Sequence, residues 1–532
     1  MITLFFVCSC KENLPIISSI EPHIGSPGEL LTITGENFGE ERDESSYVTI
    51  AGAAPTSSSY VSWKNSLIQV RIPEFAEAGL VYIHRGGKKS NPVLFSYRSA
   101  MPEPVRGEEF GSLPRIQTVE PASAPIGALV TIHGANFGAS RENSGVFFAW
   151  NAETRTSSET EAKAPEAVEA FDTEFAYELW SEREIRVRVP DGAVSGNLEV
   201  RTPRGNSRPA FFEISGKPGT KIYKDKRSYT FSYSVDVMVE RAVRPNGLYL
   251  WLPKPVSSAS QRNINVLNRS SEPFIENYRG SSLYQLMNLD PGTKEQINLS
   301  YVAEVYAVES GIRYQNIRQD GTSPIKMVYT QSAPMIPSDD PDIAAQAGAI
   351  VGRERNPYIK AQKIFQWILK EKDLQAAPLP GGALEGLKET GADSYRASLL
   401  FCALARAADV PAIPAAGVLV DRNQRAVRHY WAEFWIDSFG WIPVDPALSA
   451  GAAPDGFLLR EDHGTFYFGS LDNQRITFSR GQSAISQMDA RGRITARSRD
   501  YSLQNLWEEA TGGLESYSSL WSDVTITGLY IQ

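Results

Sequence analysis

Residues 20–39 read IEPHIGSPGELLTITGENFG, and residues 119–138 read VEPASAPIGALVTIHGANFG, an offset of 99 residues. Glu-Pro, Gly28/Gly127, Gly35/Gly134 and Asn37-Phe38-Gly39/Asn136-Phe137-Gly138 coincide. Farther on, IQVRIP (68–73) matches IRVRVP (185–190) at an offset of 117. The 18 extra residues fall in 151–175, an acidic stretch rich in Ala, Ser, Thr and Glu, as a surface loop is. A repeat of this length means one structural unit built twice. The alternation in LLTITG, VTIHG and IRVRV has period two, so the unit is made of strands. Its glycines are expected at turns that need a positive φ.

Two such units leave more than half of the 532 residues unassigned, and a chain of this length divides into three to five domains. With 42% hydrophobic and 22% charged residues it is globular. A net charge of −9, with no strong basic run, argues against nucleic acid as a partner. No apolar stretch reaches the length of a membrane-spanning helix. The three cysteines, Cys8, Cys10 and Cys402, exclude a disulfide scaffold and a four-Cys zinc site. Imidazole chemistry has five candidates: His23, His84, His133, His429 and His463. The first three are expected at the surface without a role, and His463 is expected to be structural.

The E-P…G…G-x-N-F-G pattern, present twice, resembles the TIG family of immunoglobulin-like domains. The resemblance covers residues 14–98 and 113–216 and implies two β-sandwiches acting as spacers or binding modules. Residues 1–13 stand apart. Ile2–Val7 is largely apolar and runs into Cys8-Ser9-Cys10, which resembles the end of a bacterial lipoprotein signal. Cys10, preceded by Ser9, is the expected lipidation site. No Lys or Arg precedes the run, and it is shorter than an h-region of about 7–15 residues; a start codon assigned too far downstream accounts for both. A lipidated Cys10 implies a membrane-anchored protein of the cell envelope.

Residues 222–330 carry further alternating strands with Gly, Pro and Asn punctuation, and a third sandwich is expected there. The pattern then changes. Pro341 opens a helix. Residues 357–372 form an amphipathic helix with Ala361, Ile364, Phe365 and Ile368 on one face. Residues 391–412 read as a buried helix ended by Asp409-Val410-Pro411. A strand (415–420), a turn, VRHYWAEFWI, the turn DSFG and WIPVDPA follow.

His429-Tyr430-Trp431-Ala432-Glu433 and Gly440-Trp441-Ile442-Pro443-Val444-Asp445-Pro446 resemble the His-x-Trp-x-Glu and Gly-Trp-x-x-x-Asp-Pro motifs of the transglutaminase-like core, a branch of the papain-like cysteine hydrolases. The resemblance covers about residues 335–481, leaving 482–532 as a C-terminal tail expected to pack back on the core. It implies a multidomain chain: three all-β immunoglobulin-like sandwiches, then an α+β transglutaminase-like core. It also implies a catalytic trio, but counting back from Pro411 places Ser394 where the family has its nucleophilic Cys, and Ala392 where it has Gly. The trio is therefore Ser394, His429 and Asp445, with Trp431 and Trp441 as groove or orienting candidates. Cys402 lies eight residues along the same helix, about 12 Å away at 1.5 Å per residue, in an apolar helix body, and is rejected as a substitute.

A helix N-terminus carries free N–H groups and a partial positive charge, which lowers a thiol's pKa. A serine hydroxyl gains far less and needs a general base during attack. His429 is the candidate base and Asp445 its orienter. Strand alternation puts Val427, His429, Trp431, Glu433 and Trp435 on one face. Asp445 joins that face if residues 437–439 form a three-residue loop with Gly440 as a bulge. Ser394 and Asp393 are also both good helix caps, so Ser394 has a purely structural reading as well.

Two functions follow from different classes. One is a non-catalytic scaffold whose core groove holds a protein or peptidoglycan-peptide segment. The other is an amide hydrolase acting through an acyl-enzyme on Ser394. Hydrolysis is then favoured over amine transfer, because an oxygen ester selects amines less than a thioester does. No H-E-x-x-H and no Gly-rich phosphate loop is present, so no metal or other cofactor is expected.

Overall fold

The computed structural model describes residues 14–531 apart from 26–27, 44, 51–53, 74–78, 98–112, 142, 154–165, 172–173 and 318–322. Cys10 and the segment 1–13 lie outside the described residues, as does the middle of the acidic insertion. Among those described, no helix is long and apolar enough to cross a membrane.

The repeat is a repeated topology. In the first copy one sheet is ordered Ile16–Glu21, Leu30–Glu36, Leu67–Arg71, Tyr60–Lys64. The second copy runs Arg115–Glu120, Leu129–Ala135, Glu184–Arg188, Tyr177–Trp180 in the same order. Register is kept as well: Ile20 opposes Ile33 as Val119 opposes Ile132. Alternate residues Leu31 and Ile33, or Val130 and Ile132, enter the core, where Phe38 and Phe137 are also buried.

The glycines divide into two kinds. Gly28 and Gly127 have φ of +76° and +83°, as a turn requires. Gly35 and Gly134 do not fit the expectation of turns: they lie inside strands, and a Cβ there would overlap the carbonyl oxygens of Ile16 and Arg115 on the neighbouring strand. Here the missing side chain permits close approach of two backbones.

The third β-region is organised by one very long strand, β1 (Gly219–Pro253), which pairs antiparallel with β2 (Lys294–Ile312). The helices follow. α1 (Pro341–Val351) begins with Pro at its first turn and is capped by Asp340. α2 (Pro357–Glu371) is capped by Asn356 and buries Ala361, Ile364, Phe365 and Ile368. α3 (Ser394–Ala407) is buried along nearly its whole length. Strands β3 (Ala412–Val420), β4 (Ala426–Ile436), β5 (Gly440–Val444) and β6 (Arg475–Arg480) form a sheet in the order β5-β4-β3-β6.

The last strands, β7 (Glu508–Trp521) and β8 (Thr525–Ile531), return to β1 and pair with its other edge. Residues 508–531 therefore complete the third β-region. Its core also takes in Val418, Val420, Ile476 and Phe478 from β3 and β6, so the two regions share one apolar interior.

Candidate functional site

Ser394 is the first residue of α3 and is half-buried. It does not cap the helix. That role belongs to Asp393, whose Oδ1 accepts the Arg396 N–H at 2.9 Å. The other oxygen, Oδ2, accepts from the Leu379 N–H at 3.0 Å and pairs with Arg499 at 2.5 Å. Among the described residues the Ser394 hydroxyl has no hydrogen-bond partner, and the structural reading of Ser394 as a cap is corrected accordingly.

α3 runs parallel to β4. Tyr395 meets Tyr430 edge-on with ring centroids 4.8 Å apart, and Phe401 meets Phe434 at 6.2 Å farther along. Ser394 thus stands at the head of the helix, beside the start of the strand that carries His429. Tyr430, Ala432, Phe434 and Ile436 pack with α3 in one cluster, whereas Trp431 and Trp435 belong to another. By alternation the His429 side chain is on the Trp431 face, turned away from the body of α3. No hydrogen bond joins it to Ser394.

The β4–β5 turn brings Asp445 to that same face. Ile436 pairs with Gly440, Trp435 with Trp441 and Ala432 with Val444, so residues 437–439 form a three-residue loop and Asp445 falls opposite Trp431. Ser438 and Gly440 both have positive φ, and a Cβ on Gly440 would overlap the Asp191 carboxylate.

His429 Nε2 donates to Asp445 Oδ2 at 2.9 Å; the two residues are 2% and 0% exposed. Arg475 Nη1 donates to the same oxygen at 3.3 Å. Asp445 Oδ1 accepts the Leu448 N–H at 3.1 Å, capping the short helix Pro446–Ser449. Burial pushes the Asp445 carboxyl up, but His429, Arg475 and the Leu448 N–H outweigh it and hold the group below the usual aspartate range. Arg475 donates through Nη2 to Asp472 at 2.9 Å and lies over the Trp431 ring at 4.9 Å. Burial opposes its charge, yet Asp472 and Asp445 more than compensate.

Trp431 and Trp441 are 1% and 2% exposed. Trp441 packs against Trp435 and Tyr329, with centroids at 5.4 and 5.5 Å. Neither indole lines an open groove, so the groove reading of these two residues is corrected: their large apolar rings are core, and Trp431 stacks beside the His429 ring with centroids 6.5 Å apart. Cys402 is also fully buried, and burial pushes its thiol up to about 12, the opposite of an activated nucleophile. His463 Nδ1 lies 2.9 Å from the Ser449 carbonyl oxygen. No group of three or more potential ligands is arranged for a metal among the described residues. Arg475 and Arg499 escaped the sequence analysis, because each meets its partner across distant strands or loops with no local pattern.

Residues 344–446 match the family model of the transglutaminase-like superfamily. The chain carries a transglutaminase-like core. The match spans Ser394, His429 and Asp445 and stops short of Arg475. Residues 15–97 and 114–163 match the IPT/TIG domain, so TIG immunoglobulin-like domains precede the transglutaminase-like core. An uncharacterized protein of Haemophilus influenzae is 25% identical over 259 residues, 42% of this chain and 69% of its own length. A cyclomaltodextrin glucanotransferase of Paenibacillus macerans is 37% identical over 65 residues, 12% of this chain and 9% of that enzyme. Among solved structures, a candidate cysteine protease from Cytophaga hutchinsonii aligns at 14% identity and a TM-score of 0.35, covering 59% of this chain and 92% of that one. The periplasmic domain of TgpA from Pseudomonas aeruginosa aligns at 13% identity and 0.25, covering 44% and 88%.

Proposed function

We propose that this is a non-catalytic, envelope-anchored scaffold whose transglutaminase-like core, with Ser394 in the place of the nucleophilic Cys, holds a protein or peptide segment. The observation that carries this reading is the isolation of the Ser394 hydroxyl. A serine is a poor nucleophile until a base takes its proton, and no base is hydrogen-bonded to this one. The imidazole is further handicapped. An orienting carboxylate helps a catalytic histidine by stabilising the imidazolium, but Asp445 already shares its charge with Arg475 through the same oxygen.

The alternative is a Ser-His-Asp amide hydrolase. It is favoured by one specific feature: Asp445 holds Nε2 of His429, and among the described residues Nδ1 has no hydrogen-bond partner. In that mechanism Ser394 Oγ attacks the amide carbonyl while His429 removes its proton. His429 then protonates the departing amine, and water hydrolyses the acyl-Ser394 ester.

A fluorophosphonate probe on the full chain, with Ser394→Ala as control, separates the two. No labelling above the control supports the scaffold; labelling lost in the variant supports the hydrolase. Ser394→Cys adds a second reading, since amide-directed thiol chemistry reappears only if a working pocket survives. The anchor rests on Val7-Cys8-Ser9-Cys10. Incorporation of a labelled fatty acid that is lost in Cys10→Ala tests it.

A further inference from the structure

Where the second TIG domain meets the third β-region, a lysine and an aspartate from the two sides touch inside the protein. Asp191 stands on the loop between the strands Glu184–Arg188 and Gly196–Thr202, and Lys221 near the start of β1. Lys221 Nζ lies 2.5 Å from Asp191 Oδ1, and the two side chains are 6% and 10% exposed. Nζ also lies 5.0 Å from the centre of the Phe439 ring and donates to the Trp441 carbonyl at 2.7 Å. Gly440, between those two residues, has no Cβ, which lets its backbone close over the Asp191 carboxylate. A third acid is held beside the pair. Glu174 is 3% exposed, and its Oε2 accepts the Asp191 N–H at 3.0 Å. Its Oε1 has no hydrogen-bond partner among the described residues; Arg480, 3.9 Å away, is engaged by Glu433, to which Nη2 donates at 2.6 Å.

We propose that Lys221 and Asp191 condense to an intramolecular amide, with Glu174 as the proton shuttle, and that this bond fastens the second TIG domain to β1. The step begins with a proton passing from Nζ to Oδ1 along their contact, which leaves a free amine facing a carboxylic acid. Nζ adds to Cγ while Glu174 protonates a carboxyl oxygen, and the Glu174 carboxylate takes a proton back from the nitrogen. Glu174 gives that proton to one hydroxyl, which departs as water. The remaining hydroxyl returns a proton to Glu174 as the carbonyl re-forms. One C–N bond is made and one C–O bond is broken, Glu174 ends as it began, and nothing is oxidised or reduced. Burial, and then the Asp191 charge, push the Glu174 carboxyl up to about 7, so it holds the proton that the shuttle needs. Burial, the larger cause, persists after the bond has formed. Condensation is uphill in bulk water, but here a fixed contact replaces a bimolecular encounter, and the amide eliminates two charges whose burial is costly.

The inference is independent of Ser394 and of the anchor. The full chain is denatured, digested with a protease and analysed by mass spectrometry. The wild type is expected to yield a branched peptide joining the segments that contain residues 191 and 221. Its intact mass is expected to be lower by one water than that of Lys221→Arg, after allowance for the substitution. Lys221→Arg keeps the positive charge and hence the ion pair, but a guanidinium does not condense. Glu174→Gln keeps both reacting residues and is expected to lose most of the branched peptide. Exchange protection of Glu184–Arg188 is the fold control for both variants, and the wild-type digest decides the bond whether or not a variant folds. Recovery of the two wild-type segments only as separate peptides overturns the bond and leaves a plain ion pair. Branched peptide undiminished in Glu174→Gln overturns the shuttle.

Discussion

Asp445 Oδ2 lies 2.9 Å from His429 Nε2 and also accepts from Arg475 Nη1, so one carboxylate oxygen serves two donors inside the core. Three buried charges in addition to the imidazole meet here, since Arg475 pairs with Asp472 as well. The guanidinium is what makes two neighbouring buried carboxylates tolerable.

Replacing Arg475 by Met keeps much of the side chain's volume and removes its charge. Asp445 and Asp472 then lose the positive charge they share and keep only their remaining hydrogen bonds, and breaking such a buried group costs about 3–5 kcal/mol. Urea denaturation at neutral pH checks this, with a fall in midpoint at unchanged slope as the expected outcome.

The two residues at the head of α3 separate in the same assay. Asp393→Ala removes the helix cap, the Leu379 contact and the Arg499 pair, and is expected to cost about 2 kcal/mol. Ser394→Ala removes a hydroxyl with no hydrogen-bond partner among the described residues and is expected to change stability by less than about 0.5 kcal/mol. A large loss in Ser394→Ala would mean that the hydroxyl is a structural group after all.

A second buried acid gives the protein a pH dependence. Glu174 accepts the Asp191 N–H at 3.0 Å, and Asp191 in turn pairs with Lys221 at 2.5 Å. Burial, and then the Asp191 charge, push the Glu174 carboxyl up to about 7. A folded-state value above the unfolded one means that the folded chain binds the extra proton. The associated stability is present below the unfolded value of about 4.3 and is lost as pH rises toward 7. Glu174→Gln is expected to flatten this decline, measured as urea midpoints across that interval.

Gly440 is fixed by two constraints at once: a φ of +99° and the Asp191 carboxylate where a Cβ would go. Gly440→Ala is expected to destabilise by about 1–3 kcal/mol and to disturb the β4–β5 turn. Loss of exchange protection confined to residues 434–445 is the observation that checks it.

The parts of this architecture that are local in sequence were legible there. Glu21-Pro22 through Gly39 announced a unit, and its return at Glu120-Pro121 announced a second. The spacing from His429 to Asp445 could be turned into a register because strand alternation and a three-residue loop are short-range rules. Gly35 was misread because its purpose lies in the neighbouring strand, at Ile16. As groove residues Trp431 and Trp441 were misread, because an aromatic residue beside a motif looks the same whether it faces a groove or a core. Arg475 and Arg499 carry no periodic signal; each is an arginine that finds its carboxylate through tertiary approach, Asp445 in one case and Asp393 in the other. The pairing of β7 and β8 with β1 is of the same kind, since no local pattern encodes which distant edge a strand will join.

That last pairing has a bearing on how the molecule is made. Arg227 meets Ile531, and Val235 meets Trp521. During synthesis one flank of β1 must wait, uncovered, while the helices and β3–β6 leave the ribosome, and only then does its final neighbour arrive. The closing of so long a loop is slow compared with the folding of either TIG domain. Maturation of the C-terminal half is therefore a single late event, and a chain cut between β6 and β7 would leave behind an open, adhesive sheet edge.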